Sequence, residues 1–120
     1  MKLLLVDDSK AMRMIIARTI KKAGFANLQT FQACNGIEAL EVIEAERPSV
    51  VLSDWNMPEM NGIELLRALR AKGNSICFGF ITSESSSEVR KEAESEGASF
   101  LITKPFTPQA FYAALNLILD

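Results

Sequence analysis

The 120-residue chain has no histidine and only two cysteines, Cys34 and Cys77, which effectively excludes a metal centre built from nitrogen and sulfur ligands. Two cysteines without framework spacing also make no disulfide scaffold, and both read as reduced, structural residues of a cytoplasmic protein. An excess of positive charge is missing too. With 13 basic and 15 acidic residues the formal charge is −2, which gives no general attraction to nucleic acid or an anionic membrane surface. The apolar run that follows Met1-Lys2 stops after Val6 at two aspartates, so it is no signal peptide, and no run is long enough to span a bilayer. Internal repeats, low-complexity tracts and linkers are absent. The chain therefore reads as one domain, residues 1–120, large enough to bury a single core.

What is present is a regular alternation of short apolar runs and helical periodicities. Leu3 to Val6, Val50 to Leu52, Ile76 to Ile81 and Phe100 to Ile102 suit strands buried on both faces. Leu28 to Ala33 reads as a weaker strand, with Gln29 and Gln32 pointing to a sheet edge. Between them, Ser9 offers an N-cap for a helix carried by Met12, Ile15, Ile16, Thr19, Ile20 and Ala23 until Gly24. Ile37, Leu40 and Ile43 carry a second helix as far as Arg47-Pro48, and Leu65, Leu66 and Leu69 a third between Gly62 and Gly73. The polar segment Ser85 to Glu96 holds only Val89 and Ala93 as an apolar i,i+4 pair, so its helix is expected to be the least firmly packed. Thr107-Pro108 gives an N-cap and a first-turn proline for a last helix whose Phe111, Ala114, Leu115 and Ile118 face the sheet. Five strands alternating with five helices predict an α/β fold, a parallel sheet covered on both faces.

The polar residues that need explaining fall where strands end. Asp7 and Asp8 follow the first strand, Asp54 the third, Thr82 the fourth and Lys104 the fifth. In open α/β sheets the crevice beyond the carboxyl ends is where ligands bind. If the first and third strands are neighbours, three carboxylates converge, and like charges so close resist joint ionisation unless a cation neutralises them. All-oxygen ligation favours a hard ion, Mg²⁺ or Mn²⁺.

With these residues in place, the sequence resembles the receiver domain of two-component response regulators, most closely its single-domain chemotaxis type. The resemblance spans nearly the whole chain and rests on Val-Asp-Asp-Ser at 6–9, Asp-Trp-Asn-Met-Pro at 54–58, Met-Asn-Gly at 60–62, Thr82, and Lys-Pro-Phe at 104–106. It implies a flavodoxin-like sheet of order 2-1-3-4-5. It implies that Asp54 is a phosphoacceptor, charged from the phosphohistidine of a sensor histidine kinase, and that Asp8, Asp54 and the backbone carbonyl of Asn56 ligate the metal directly, with Asp7 acting mainly through metal-bound water. Thr82 and Lys104 are then the switch hydroxyl and the ammonium that meet the phosphoryl group, and Asn56 and Glu84 tune its hydrolysis. Further partners implied are a downstream target protein such as a flagellar motor switch, and a phosphatase.

The chain departs from the family at Leu101, where an aromatic side chain commonly reports phosphorylation. Phe100 is adjacent, but one step along a strand reverses the face. Output is expected across Val89, Ala93, Leu101, Tyr112 and Leu119. Two other readings stay open: an aspartyl-phosphate phosphotransferase or hydrolase acting on an external substrate, and a receiver domain cut from a longer regulator. Against the first, Asp54 is followed by Trp55-Asn56 with neither a second acid/base carboxylate nor a capping insert. A mononucleotide-binding module lacks both a Gly-rich loop after the first strand and an aromatic pair to hold a flavin.

Overall fold

A computed structural model describes residues 1–119 apart from Ser85, and the side chain of Leu119 is also outside the description. The elements run β1 (Lys2–Val6), α1 (Lys10–Lys22), β2 (Gln29–Ala33), α2 (Gly36–Glu46), β3 (Val50–Asp54), α3 (Gly62–Ala71), β4 (Cys77–Thr82), α4 (Ser87–Ser95), β5 (Phe100–Thr103) and α5 (Pro108–Leu119). The strands form one parallel sheet in the order β2-β1-β3-β4-β5, the flavodoxin-like arrangement. β2 is an edge, as its exposed glutamines imply.

Strand alternation divides the core into two layers. Leu4, Val6, Val51, Phe78 and Phe80 point to the face covered by α2, α3 and α4. Leu3, Leu5, Val50, Leu52 and Ile81 point to the other, covered by α1 and α5. Each fully buried Leu, Ile or Phe stabilises the fold by roughly 1.5–3 kcal/mol relative to exposure, so these runs set the register as well as the stability. Gly79 lies on the second face across from Phe100. A Cβ there would stand 2.2 Å from the Phe100 ring, so the absent side chain makes room for that ring. Phe100 and Leu101 accordingly serve opposite layers.

The helix starts are set by short polar side chains. Ser9 Oγ accepts from the Met12 N–H (3.1 Å), Asn35 Oδ1 from Glu38 (2.8 Å) and Thr107 Oγ1 from Ala110 (3.2 Å). Asn61 and Glu64 form a reciprocal capping box at the start of α3.

Two helical faces differ from the sequence expectation. Ile15 is 47% exposed and Ile37 48%. α1 turns Ile16 and Ile20 to the sheet, which rotates Ile15 about 100° away, one residue's step around a helix. α2 packs through Gly36, Ala39 and Ile43, leaving Ile37 outside. Helix α4 is thinly anchored, with Ala93 its sole buried residue. Its second half is held to α3 by Arg67, which pairs with Glu92 (2.9 Å) and Glu96 (3.3 Å), and by Arg70, which donates to the Gly97 carbonyl (2.9 Å).

Candidate functional site

The parallel topology carries Asp7, Asp8, Asp54, Thr82 and Lys104 to one end of the sheet. Asp54 is the last residue of β3, paired in register with Ile81, and Thr82 is the last residue of β4. One carboxylate oxygen from each of Asp7, Asp8 and Asp54 lies within 4.8 Å of the others. Lys104 reaches in from beyond β5, its Nζ 3.5 Å from Asp54 Oδ1 and 3.8 Å from Asp7 Oδ2. The Lys104 backbone N–H donates to the Thr82 carbonyl (2.8 Å), which ties the β5–α5 loop to the end of β4.

The carboxylates are held unequally. Asp7 is buried; its Oδ1 accepts from the Ser9 N–H (2.9 Å), while Oδ2 accepts no hydrogen bond from any described residue. Asp54 Oδ1 accepts from the Trp55 N–H (2.8 Å), and Asp8 is exposed. Burial pushes the Asp7 carboxyl above its ordinary value; the Ser9 N–H and Lys104 oppose that shift, and Asp54 and Asp8 add to it. Burial also raises Asp54, against the pull of Lys104 and of the Trp55 N–H. A buried oxygen with no donor, set among three carboxylates and one ammonium, is a donor set that a small hard cation fits.

The surrounding loop is built to hold this geometry. The Gly62 N–H donates to the Trp55 carbonyl (2.9 Å), closing the β3–α3 loop. A Cβ on Gly62 would stand 2.3 Å from the Asp54 carbonyl oxygen and 2.7 Å from the Phe80 ring, so only glycine allows the approach. Met60 covers Gly36 at the start of α2, and Glu59 takes a left-handed φ of 68°. Trp55 is buried, its ring 4.7 Å from Phe80. Thr82 is fully buried and its Oγ1 accepts from the Glu84 N–H (3.0 Å). The Asn56 and Glu84 side chains are exposed.

The residues expected to form an output surface are not brought together into one exposed patch. Ala93 is 3% exposed and Val89 half-buried, both packed with half-buried Leu101 against the α2/α3/α4 layer, because α4 has no other apolar side to bury. Tyr112 is exposed but leans toward the end of α1, with its ring 6.2 Å from Phe25. The Leu119 side chain lies outside the described residues. Sequence reasoning missed Arg13, whose Nε donates to Gln32 Oε1 (2.9 Å) and whose Nη1 donates to the Asp7 carbonyl. A basic residue one turn into the helix after the paired aspartates was the available signal. Both cysteines are free thiols, as expected.

The β-α alternation of this order sets acidic residues at two strand ends and Thr and Lys at the next two. The model of the response regulator receiver domain matches residues 3–116, and the chain belongs to that family, the receiver domains of two-component systems. Among its relatives, chemotaxis protein CheY1 of Helicobacter pylori is 39% identical, over 99% of this chain and 97% of that protein. A chemotaxis protein CheY homolog of Campylobacter jejuni is 38% identical, over 99% of this chain and 92% of that protein. The solved structure of Vibrio cholerae chemotaxis protein CheY4 superposes with a TM-score of 0.85 at 33% identity, over 98% of this chain and 97% of that one. Among the described residues no helix is long and apolar enough to cross a membrane.

Proposed function

We propose that this receiver domain is a phosphorylation switch in which Asp54 accepts a phosphoryl group from a histidine kinase in the cytoplasm. The observation that carries the reading is the Asp54 carboxylate at the end of β3, with the Lys104 ammonium 3.5 Å away and two further carboxylates within 4.8 Å. Asp54 Oδ1 is occupied by the Trp55 N–H and by Lys104, which leaves Oδ2 to attack. A bond forms from that oxygen to phosphorus as the phosphorus–nitrogen bond of the phosphohistidine breaks, and the imidazole leaves with the electron pair. A carboxylate is a weak nucleophile, so the site has to supply alignment and charge neutralisation.

Asp8, Asp54 and the Asn56 carbonyl are the groups that would hold Mg²⁺, with Asp7 on a metal-bound water; the ion supplies charge neutralisation for the phosphoryl oxygens. Lys104 pairs with a phosphoryl oxygen directly. Because Thr82 Oγ1 already accepts from Glu84, its hydroxyl proton is free to donate to another. Asn56 and Glu84 are exposed at the rim, where their polar ends orient the water that hydrolyses the acyl phosphate. The only reactions of the domain are then its own phosphorylation and dephosphorylation. The chemotaxis names of its relatives make motility control the pathway of choice, with a flagellar switch as target.

Output runs through β5, where Leu101 packs in the same layer as Phe80 and Trp55. The test is incubation with acetyl phosphate and Mg²⁺. One acid-stable, alkali-labile phosphoryl adduct is expected, lost in Asp54→Asn and on chelation. An equal adduct in Asp54→Asn, or none in the wild-type protein with metal, rules the proposal out.

A further inference from the structure

The structure assigns Arg13 as a positioning residue for the divalent-cation site, acting through the peptide that joins Asp7 to Asp8. This inference rests on the proposed cation site and adds a residue to it. Asp7 is fixed at three points: its N–H donates to the Ala33 carbonyl (3.1 Å), its Oδ1 accepts from Ser9 (2.9 Å), and its carbonyl accepts from Arg13 Nη1. The carbonyl is the informative one, because it belongs to the peptide plane that carries Asp8. Asp8 is exposed and its carboxylate takes no hydrogen bond from the described residues, so its aim depends on how that plane is held. Arg13 is itself steadied by Gln32 Oε1 (2.9 Å) on β2 and by its place on α1, whose Ser9 cap belongs to the same loop. A planar guanidinium can serve Gln32 and the carbonyl at once, which an ammonium cannot do with the same geometry.

Charge and position make opposite predictions here. A cation beside a cation site repels the incoming ion, so if Arg13 acted only through its charge, removing it would tighten Mg²⁺ binding. If it holds the Asp7–Asp8 peptide, removing it loosens the ligand set. Partners that orient metal ligands typically account for about 10–100-fold in affinity.

The experiment titrates Mg²⁺ alone into wild type, Arg13→Ala, Arg13→Lys and Gln32→Ala. Binding is read from Trp55 emission and from the amide NMR shifts of Asp8 and Ser9, with thermal melts in chelator to follow the metal-free fold. Mg²⁺ affinity is expected to fall about tenfold in Arg13→Ala, less in Arg13→Lys and least in Gln32→Ala, with the Asp8 amide displaced in metal-free Arg13→Ala. Unchanged or tighter binding in Arg13→Ala overturns the inference while leaving the site intact. A wild-type protein with no saturable Mg²⁺ response overturns the site reading and this inference with it.

Discussion

Replacing Asp7 with asparagine is expected to stabilise the metal-free protein. Asp7 meets Asp54 and Asp8 within 4.8 Å and Lys104 at 3.8 Å. At an effective dielectric of about 20, each repulsion is about 3.5 kcal/mol and the attraction about 4.4 kcal/mol. Solvent around exposed Asp8 roughly halves its share, leaving a net repulsion of about 1 kcal/mol. Burying a carboxylate oxygen that has no donor costs about 1–3 kcal/mol more. Asparagine keeps an acceptor for the Ser9 N–H and removes the charge from the unpaired oxygen. A gain of about 2 kcal/mol is expected, visible as a Tm higher by roughly 6–10 °C at neutral pH.

The effect has a pH signature. Burial raises both Asp7 and Asp54, so in the folded state they hold protons that the unfolded chain has released. The contribution of these two groups to wild-type stability is therefore fully present below the ordinary value of 3.8 and is lost as pH rises through the raised values. Asp7→Asn should flatten that decline. Added Mg²⁺ should also restore the wild type, by about 2.7 kcal/mol at a hundredfold excess over Kd, and the variant by less. Melts of both proteins across pH 4–8, with and without Mg²⁺, make the comparison. A variant that melts at or below the wild type at neutral pH would show that the Lys104 pairing outweighs the repulsion, and the reasoning would fall.

Gly62→Ala should destabilise by about 1–3 kcal/mol, the usual cost of overpacking, because its Cβ would stand 2.3 Å from the Asp54 carbonyl oxygen. It should also slow phosphorylation by acetyl phosphate; a wild-type denaturant midpoint would refute the close approach. Leu101→Tyr should widen the NMR response of β5 and α4 to beryllofluoride, since an aromatic ring at this half-buried position has both the Phe80 layer and solvent open to it. Identical responses in the two proteins would remove Leu101 as a coupling residue.

The strands were legible because a fully buried parallel strand leaves a plain mark: Leu3-Leu4-Leu5-Val6 has no other use for four apolar side chains in a row. The placement of Asp7, Asp54, Thr82 and Lys104 followed, since a strand's end fixes where the next residue goes. Helix faces were less legible. Ile15 and Ile16 both fit a broad apolar stripe, and only the sheet beneath α1 decides that Ile16 turns in. Ala93 turns inward for the same reason, while Tyr112 lies exposed as expected: periodicity gives a stripe, whereas the neighbour it meets is fixed by elements far away in sequence. Arg13 acts through one contact to the main chain and one to Gln32, which leave no periodic trace.

The attachment of α4 has a consequence for the medium in which the domain works. Arg67 grips Glu92 and Glu96, and Arg70 the Gly97 carbonyl, so the downstream half is pinned by charged groups while the turn beginning at Ser86 has its cap and the half-buried Val89. On the proposed reading of the domain as a switch, the helix acts as a lever with its fulcrum at the far end. A small displacement near Thr82 swings the near end most and the pinned end least. Because the Arg67 ion pairs at that fulcrum are solvent-accessible, counterions loosen them. On that reading the stroke of the lever should lengthen as ionic strength rises, making the proposed switch sensitive to the salt around it as well as to phosphorylation.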